Sequence, residues 1–273
     1  MLKVAKKAGI VVFIILALIN IYPFVFSLLS SFKGSLELFS SFMSLPETLK
    51  WENYVTAWNE GNIGRYFFNT IILAAFTLII TAFVGALASY VLSKFQFKLK
   101  GMMYLFFVAG MMIPIQAVII PLAYIFGKLG IMNNYPMLIM LFTAFSIPIT
   151  ILILTGYISS IPTEIEESAF IDGASIFQIF LKLILPLAKP AIFSVSIFNF
   201  IQVWNNLLFP LIFISERNLG TIATGLLQFF GERSNDYGAA LAGISLTTIP
   251  VIILYIFFQS KIEDGLISGS VKG

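Results

Sequence analysis

Six stretches of the chain hold no Asp, Glu, Lys or Arg: residues 8–32, 66–93, 101–127, 129–163, 190–215 and 237–260. Each is long enough for the roughly 20 residues that a helix needs to cross a bilayer core. A charge at mid-bilayer costs about 2.5–3.5 kcal/mol on insertion scales, so six uninterrupted gaps in one chain predict six transmembrane helices. Within the fourth, Asn133, Asn134, Tyr135 and Pro136 read as an entry loop, leaving a helix over residues 137–157. The window 216–236 is too charged and glycine-bearing to span. Between the fourth and fifth stretches lies a polar segment, 161–190, reading IPTEIEESAFIDGASIFQIFLKLILPLAKP. Thr163 with Glu166 predicts a capping box at the start of a short helix, and Gly173 after Asp172 predicts a left-handed turn. Ser175 with Gln178 repeats the capping pattern, and Pro186 and Pro190 punctuate the far end. The segment reads as helix, tight turn, helix.

Composition places these helices in a polytopic membrane protein. Of 273 residues 59% are hydrophobic and 11% charged, with a mean hydropathy of +0.98; soluble domains carry roughly 25% charged residues. Lys3, Lys6 and Lys7 precede the first span, and with the N-terminus inside, 10 of the 16 Lys and Arg fall on the cytoplasmic face. This orientation puts both termini and the 161–190 segment in the cytoplasm and the loops 33–65 and 216–236 outside. The run after Lys7 is too long for a secretory signal, contains Pro23 and lacks a small-residue cleavage pattern, so it reads as an uncleaved first span. Pro114, Pro121, Pro148, Pro210 and Pro250 also fall within the spans. There they kink helices and free carbonyls that neighbouring helices or cavity water must satisfy.

The chain has no Cys and no His, which removes thiol nucleophiles, disulfides, histidine metal ligands and Ser-His-Asp catalysis. No catalytic or metal-ligating set is expected. Every acidic residue lies in a loop or in the polar segment, which disfavours an ion-coupled pump. No G-x-x-x-x-G-K-[ST] run occurs, so if nucleotide drives this protein another chain must bind it.

Span five carries the amides Asn199, Gln202, Asn205 and Asn206 beside Trp204. Helical spacing puts Asn199, Gln202 and Asn206 near one face, with Asn205 to the side. Amides and an indole suit sugar hydroxyls and sugar faces, which makes these residues candidates for lining a substrate path. The other reading is ordinary interhelical hydrogen bonding, worth about 0.6 kcal/mol per contact.

Glu167-Ser168-Ala169, Asp172-Gly173-Ala174 and Leu185-Pro186-Leu187 together resemble the EAA loop of permease subunits in ABC importers, with Ser168 replacing the first alanine of the motif. The resemblance extends to Trp51-Glu52-Asn53-Tyr54, to Phe68-Asn69-Thr70 and to the glycine- and serine-rich end, 265–273. In these features and in its six spans the chain resembles the smaller permease of the maltose-type carbohydrate importers. What the resemblance implies is an all-α integral membrane protein with the type I ABC importer permease fold. Residues 1–65 would hold the first span and an outer loop, 66–260 the transmembrane core, and 261–273 a cytoplasmic tail. The first helix of the segment would be a coupling helix seated on a cytoplasmic ATPase dimer through Glu166, Glu167, Ser168, Ala169, Asp172, Gly173 and Ala174. Ser268, Gly269, Lys272 and Gly273 would reach the same ATPase. ATP and Mg would belong to that partner, and this chain would carry no cofactor. The remaining expected partners are a second, unlike permease, an extracellular solute-binding protein, the lipid bilayer and a carbohydrate, with no nucleic acid. Three other readings stand beside this one: a permease for another solute such as glycerol phosphate, an amino acid or a polyamine; an ATPase-independent channel or membrane assembly protein; and a polar segment that simply rests on the membrane surface.

Overall fold

The computed structural model describes residues 2–230 and 236–270, apart from the side chains of 2–5, 7, 8, 230 and 260–270. Among the described residues every regular element is helical. The chain divides into two compact units, residues 1–67 with 222–252, and residues 68–221 with 253–273.

In the first unit, α1 (Leu2–Ser30) presents its apolar side chains outward along the span, and only at its last residue, Ser30, does a described residue become buried. The short α2 (Ser35–Ser40) and α3 (Glu52–Val55) follow it. Lys33, at the end of α1, is fully buried, and its Nζ donates to Ser41 O at 2.9 Å, Phe42 O at 3.3 Å and Ser44 Oγ at 3.3 Å. These bonds fold the 41–44 loop over the ammonium, which an unpaired buried charge requires. Asn53 Nδ2 donates to Ser31 O at 2.7 Å and Lys33 O at 2.8 Å, while Phe32 packs against Trp51 and Tyr54. The Trp51–Tyr54 run is therefore a latch on the C-terminal end of α1, satisfying carbonyls that the helix leaves open. The unit is completed by α13 (Ile222–Phe230) and the first part of α14 (Tyr237–Ser270).

The second unit is organised by α4 (Ile63–Lys94) and α7 (Tyr135–Ser159). Thr77, Thr81, Gly85 and Ser89 recur every four residues on α4 and are all buried. Such a stripe of small residues lets helix backbones approach closely where no hydrophobic force drives association. The approach is tightest at Gly85, where an added Cβ would stand 2.5 Å from Thr150 Cγ2 of α7. Asn134 caps α7 by accepting from Met137 N at 2.9 Å, with Pro136 in the first turn, so the helix starts two residues earlier than expected.

Two expected spans are interrupted. The stretch 101–127 is α5 (Lys100–Ala109), a 3₁₀ turn at Gly110–Met112 and α6 (Ile115–Leu129), with a bend of 95°. Pro114 forces Ile113 into extended backbone and denies the ladder an N–H, so the helix stops and restarts in a new direction. The stretch 190–215 is α11 (Lys189–Asn205) followed by α12 (Leu208–Phe213). Between them Asn206 turns extended, with Oδ1 accepting from Phe209 N at 2.9 Å. Among the described residues four helices are long and apolar enough to span alone, and up to six if residues 100–129 and residues 176–205, each a helix pair with a sharp bend, are counted as one span apiece.

If the small-residue stripe sets the α4–α7 distance, Gly85→Val should destabilise the purified protein by about 1–3 kcal/mol, the usual range for overpacking. Gly156→Val, where an added Cβ meets nothing within 4 Å, should leave the thermal midpoint close to that of the parent.

Candidate coupling site

The polar segment folds as α8 (Glu164–Ile171), a tight turn, α9 (Ile176–Ile179), a π-helical turn at Phe180–Ile184 and α10 (Leu185–Leu187). A bend of 72° then leads into α11. The turn is a Schellman closure: Gly173 adopts φ +81°, Gly173 N donates to Phe170 O at 3.0 Å and Ala174 N to Ala169 O at 3.0 Å. Ser175 and Gln178 form the expected capping box, Ser175 Oγ accepting from Gln178 N and Gln178 Oε1 from Ser175 N.

The other expected capping box does not form. Thr163 has helical backbone angles, its carbonyl rather than its hydroxyl accepts from Glu166 N at 2.9 Å, and the Glu166 side chain is turned away from it into the protein. Glu166 is 6% exposed. Its Oε2 accepts from Tyr90 OH at 2.9 Å, and its Oε1 lies 3.0 Å from Lys94 Nζ, which also donates to Ile161 O. Glu166, expected at the contact with a partner chain, is buried within this one, where it anchors α8 to the end of α4. Tyr90 in turn stacks on Phe180 at 5.6 Å and meets Phe95 edge-on at 5.5 Å. Beneath them lies an apolar cluster of Ala86, Leu154, Ile158, Ile179, Ile184 and Val195.

The remaining motif residues divide by exposure. Glu167, Ser168, Asp172 and Gly173 are exposed, whereas Ala169 and Ala174 are half-buried against the apolar cluster. Around the turn, Phe170 is 52% and Ile171 87% exposed, and Ile176 and Phe177 are exposed beyond it. Exposed apolar side chains gathered at a polar turn mark a surface for another macromolecule. Sequence reasoning missed these four, although their signal is apolar residues flanking Gly173 in an otherwise polar run. It also missed Tyr90, and read Lys94 only as a topology marker.

The span-five amides do not share one face. Asn199 is 2% exposed and its Nδ2 donates to Thr150 Oγ1 at 3.0 Å, with Thr150 bonded on to Ser146 O at 2.8 Å. Asn206 has left the helix and caps α12. Gln202 and Asn205 remain exposed. The expected line of Asn199, Gln202 and Asn206 is thus broken by the helix ending at Asn205 and by Asn199 being engaged between α7 and α11. Lys272 and Gly273 lie outside the described residues, as do the side chains of Ser268 and Gly269, whose backbone continues α14. Among the described residues no group of three or more acidic side chains is placed to hold a metal ion.

The family of binding-protein-dependent transport system inner membrane components matches residues 82–267, more than half of the chain and all of the coupling segment. The chain belongs to this family. It is a permease subunit of the ABC importer type, not an enzyme, and a multi-pass membrane protein. Curated relatives extend the match to nearly the whole permease. The probable ABC transporter permease protein YurM of Bacillus subtilis is 40% identical over 98% of this chain and 89% of its own. The diacetylchitobiose uptake system permease protein NgcG of Streptomyces coelicolor is 34% identical over 95% and 86%. The trehalose/maltose transport system permease protein MalG of Thermococcus litoralis is 31% identical over 95% and 94%. Among solved structures, a chain of a bacterial ABC transporter involved in import of the acidic polysaccharide alginate superposes with a TM-score of 0.80. That match covers 94% of the permease and 96% of the other chain at 22% identity, which establishes a common fold.

Two substitutions separate the roles of these residues. Gly173→Ala has room for its methyl group but must hold a left-handed backbone, so the turn should weaken by about 1–2 kcal/mol, read as faster amide exchange at 172–175. Asn199→Leu should change stability by only about 0.6 kcal/mol, because Thr150 keeps its bond to Ser146 O.

Proposed function

We propose that the permease is one of two unlike membrane subunits of an ATP-driven importer for carbohydrate, an oligosaccharide by the cargo of its named relatives. The observation that carries the reading is the helix–turn–helix of α8 to α10, which turns Glu167, Ser168, Asp172, Gly173 and an apolar tip outward from a firmly packed base. In this reading the six spans leave both termini in the cytoplasm, as the lysine distribution favours. The exposed turn seats on a cytoplasmic ATPase dimer, which binds ATP and Mg, and the C-terminal residues Ser268 to Gly273 reach toward the same partner. An extracellular solute-binding protein delivers cargo to the outer loops, and the two permeases gate the path by alternating access. Carbohydrate is favoured because named relatives serve diacetylchitobiose, starch degradation products, arabinooligosaccharides and trehalose or maltose. Gln202 and Asn205, exposed on α11, are the span-five amides left to line the path.

Reconstitution with the partner permease, the ATPase and the binding protein tests this. Glu167→Lys and Gly173→Leu should abolish uptake and ATPase co-purification while the protein remains in the membrane. Normal co-purification and transport in both variants would overturn the coupling assignment. Titration of the binding protein with a panel of mono- and oligosaccharides, polyamines and amino acids should give its tightest binding to an oligosaccharide.

A further inference from the structure

The outward face of α8 explains how a partner could be gripped, but not how a push on an eight-residue helix would reach a span. We propose that the Glu166–Lys94–Tyr90 cluster is the joint that makes α8 and α4 move as one body. This rests on the coupling role proposed above and deepens it. Glu166 enters the core from α8, Lys94 and Tyr90 come from the last turns of α4, and all three polar heads converge within hydrogen-bonding distance. Lys94 also holds Ile161 O, in the link between α7 and α8. Through its ring Tyr90 touches Phe180, beyond the turn, so both arms of the helix–turn–helix are tied to the same two turns of α4.

A buried ion pair is a poor source of net stability, because desolvation offsets most of its attraction. Its particular property is geometric: displacing either charge leaves the other buried without its partner, so the low-energy arrangement is narrow. Apolar contacts such as those of Ile158 and Ile184 tolerate sliding more readily. Glu166 is therefore a positioning residue, acting on α4 through Lys94 and Tyr90, while Glu167 beside it faces outward. Adjacent glutamates thus divide the work of the helix between an inner and an outer face.

The absence of cysteine from the chain allows a direct test in the assembled importer. Spin labels are placed at Glu164→Cys, exposed on α8, and Ile79→Cys, exposed on α4, and the distance between them is measured without nucleotide and with MgATP and vanadate. With the joint intact the two distance distributions should coincide. With Glu166→Gln the ATPase should still co-purify, since the outer face is untouched, but the distribution should shift or broaden when nucleotide is added. The exchange Lys94→Glu with Glu166→Lys should restore coincidence. Coincident distributions in Glu166→Gln would overturn the joint, as would loss of ATPase co-purification in that variant, which would mark Glu166 as a folding support. If the unsubstituted chain does not co-purify with an ATPase, or if Glu167→Lys and Gly173→Leu both leave co-purification and transport intact, the coupling reading itself fails and the joint falls with it.

Discussion

An apolar slab excludes charge, and nearly everything else in this molecule follows from where the excluded charges were allowed to gather. Six stretches are cleared of Asp, Glu, Lys and Arg, and the charges they displace collect at the helix ends and in one polar segment. Helices that share a slab have no hydrophobic preference for each other over lipid, so their association falls to shape and to hydrogen bonds. The stripe of Thr77, Thr81, Gly85 and Ser89 supplies the shape, and Asn199 with Thr150 supplies a hydrogen bond. At the end of α4 the exclusion relaxes, and there an ammonium, a carboxylate and a phenol meet in a site largely withdrawn from water.

Local signals in the sequence match the structure where one residue's backbone preference decides the outcome. Gly173 turns left-handed, and Ser175 and Gln178 cap each other. The failures share a different cause, namely a residue with two uses. Thr163 and Glu166 have the spacing of a capping box, yet the same glutamate satisfies Tyr90 and Lys94, which stand more than 70 positions earlier and leave no trace in the local pattern. Proline is similar. Pro148 sits within α7 without ending it, whereas Pro114 stops a helix and redirects the chain by 95°. Hydropathy averages over both, because a broken apolar stretch scores like a continuous one.

The amides of span five show the limit from the other side. Their types were legible and their partners were not, because helical spacing assumes that the helix continues. It ends at Asn205, and Asn206 is spent on capping α12. Asn199 is drawn to Thr150 because a primary amide at membrane depth has no water to turn to.

This division bears on what such a chain can encode. The turn at Gly173 and the joint behind it are built from residues within one unit of one chain, so their geometry is complete here. A path for cargo needs groups that remain unengaged by their own subunit, and on α11 only Gln202 and Asn205 of the four amides are exposed. Two amides contribute few hydrogen bonds toward a polyhydroxylated solute, and discrimination between sugars requires several paired hydroxyls. In the proposed reading, specificity is then assembled with other chains. The relatives agree with that argument, since permeases named for unlike carbohydrates are 30–34% identical to this one over nearly its full length. Identity at that level goes with one family and one fold, while the carbohydrates in the relatives' names differ.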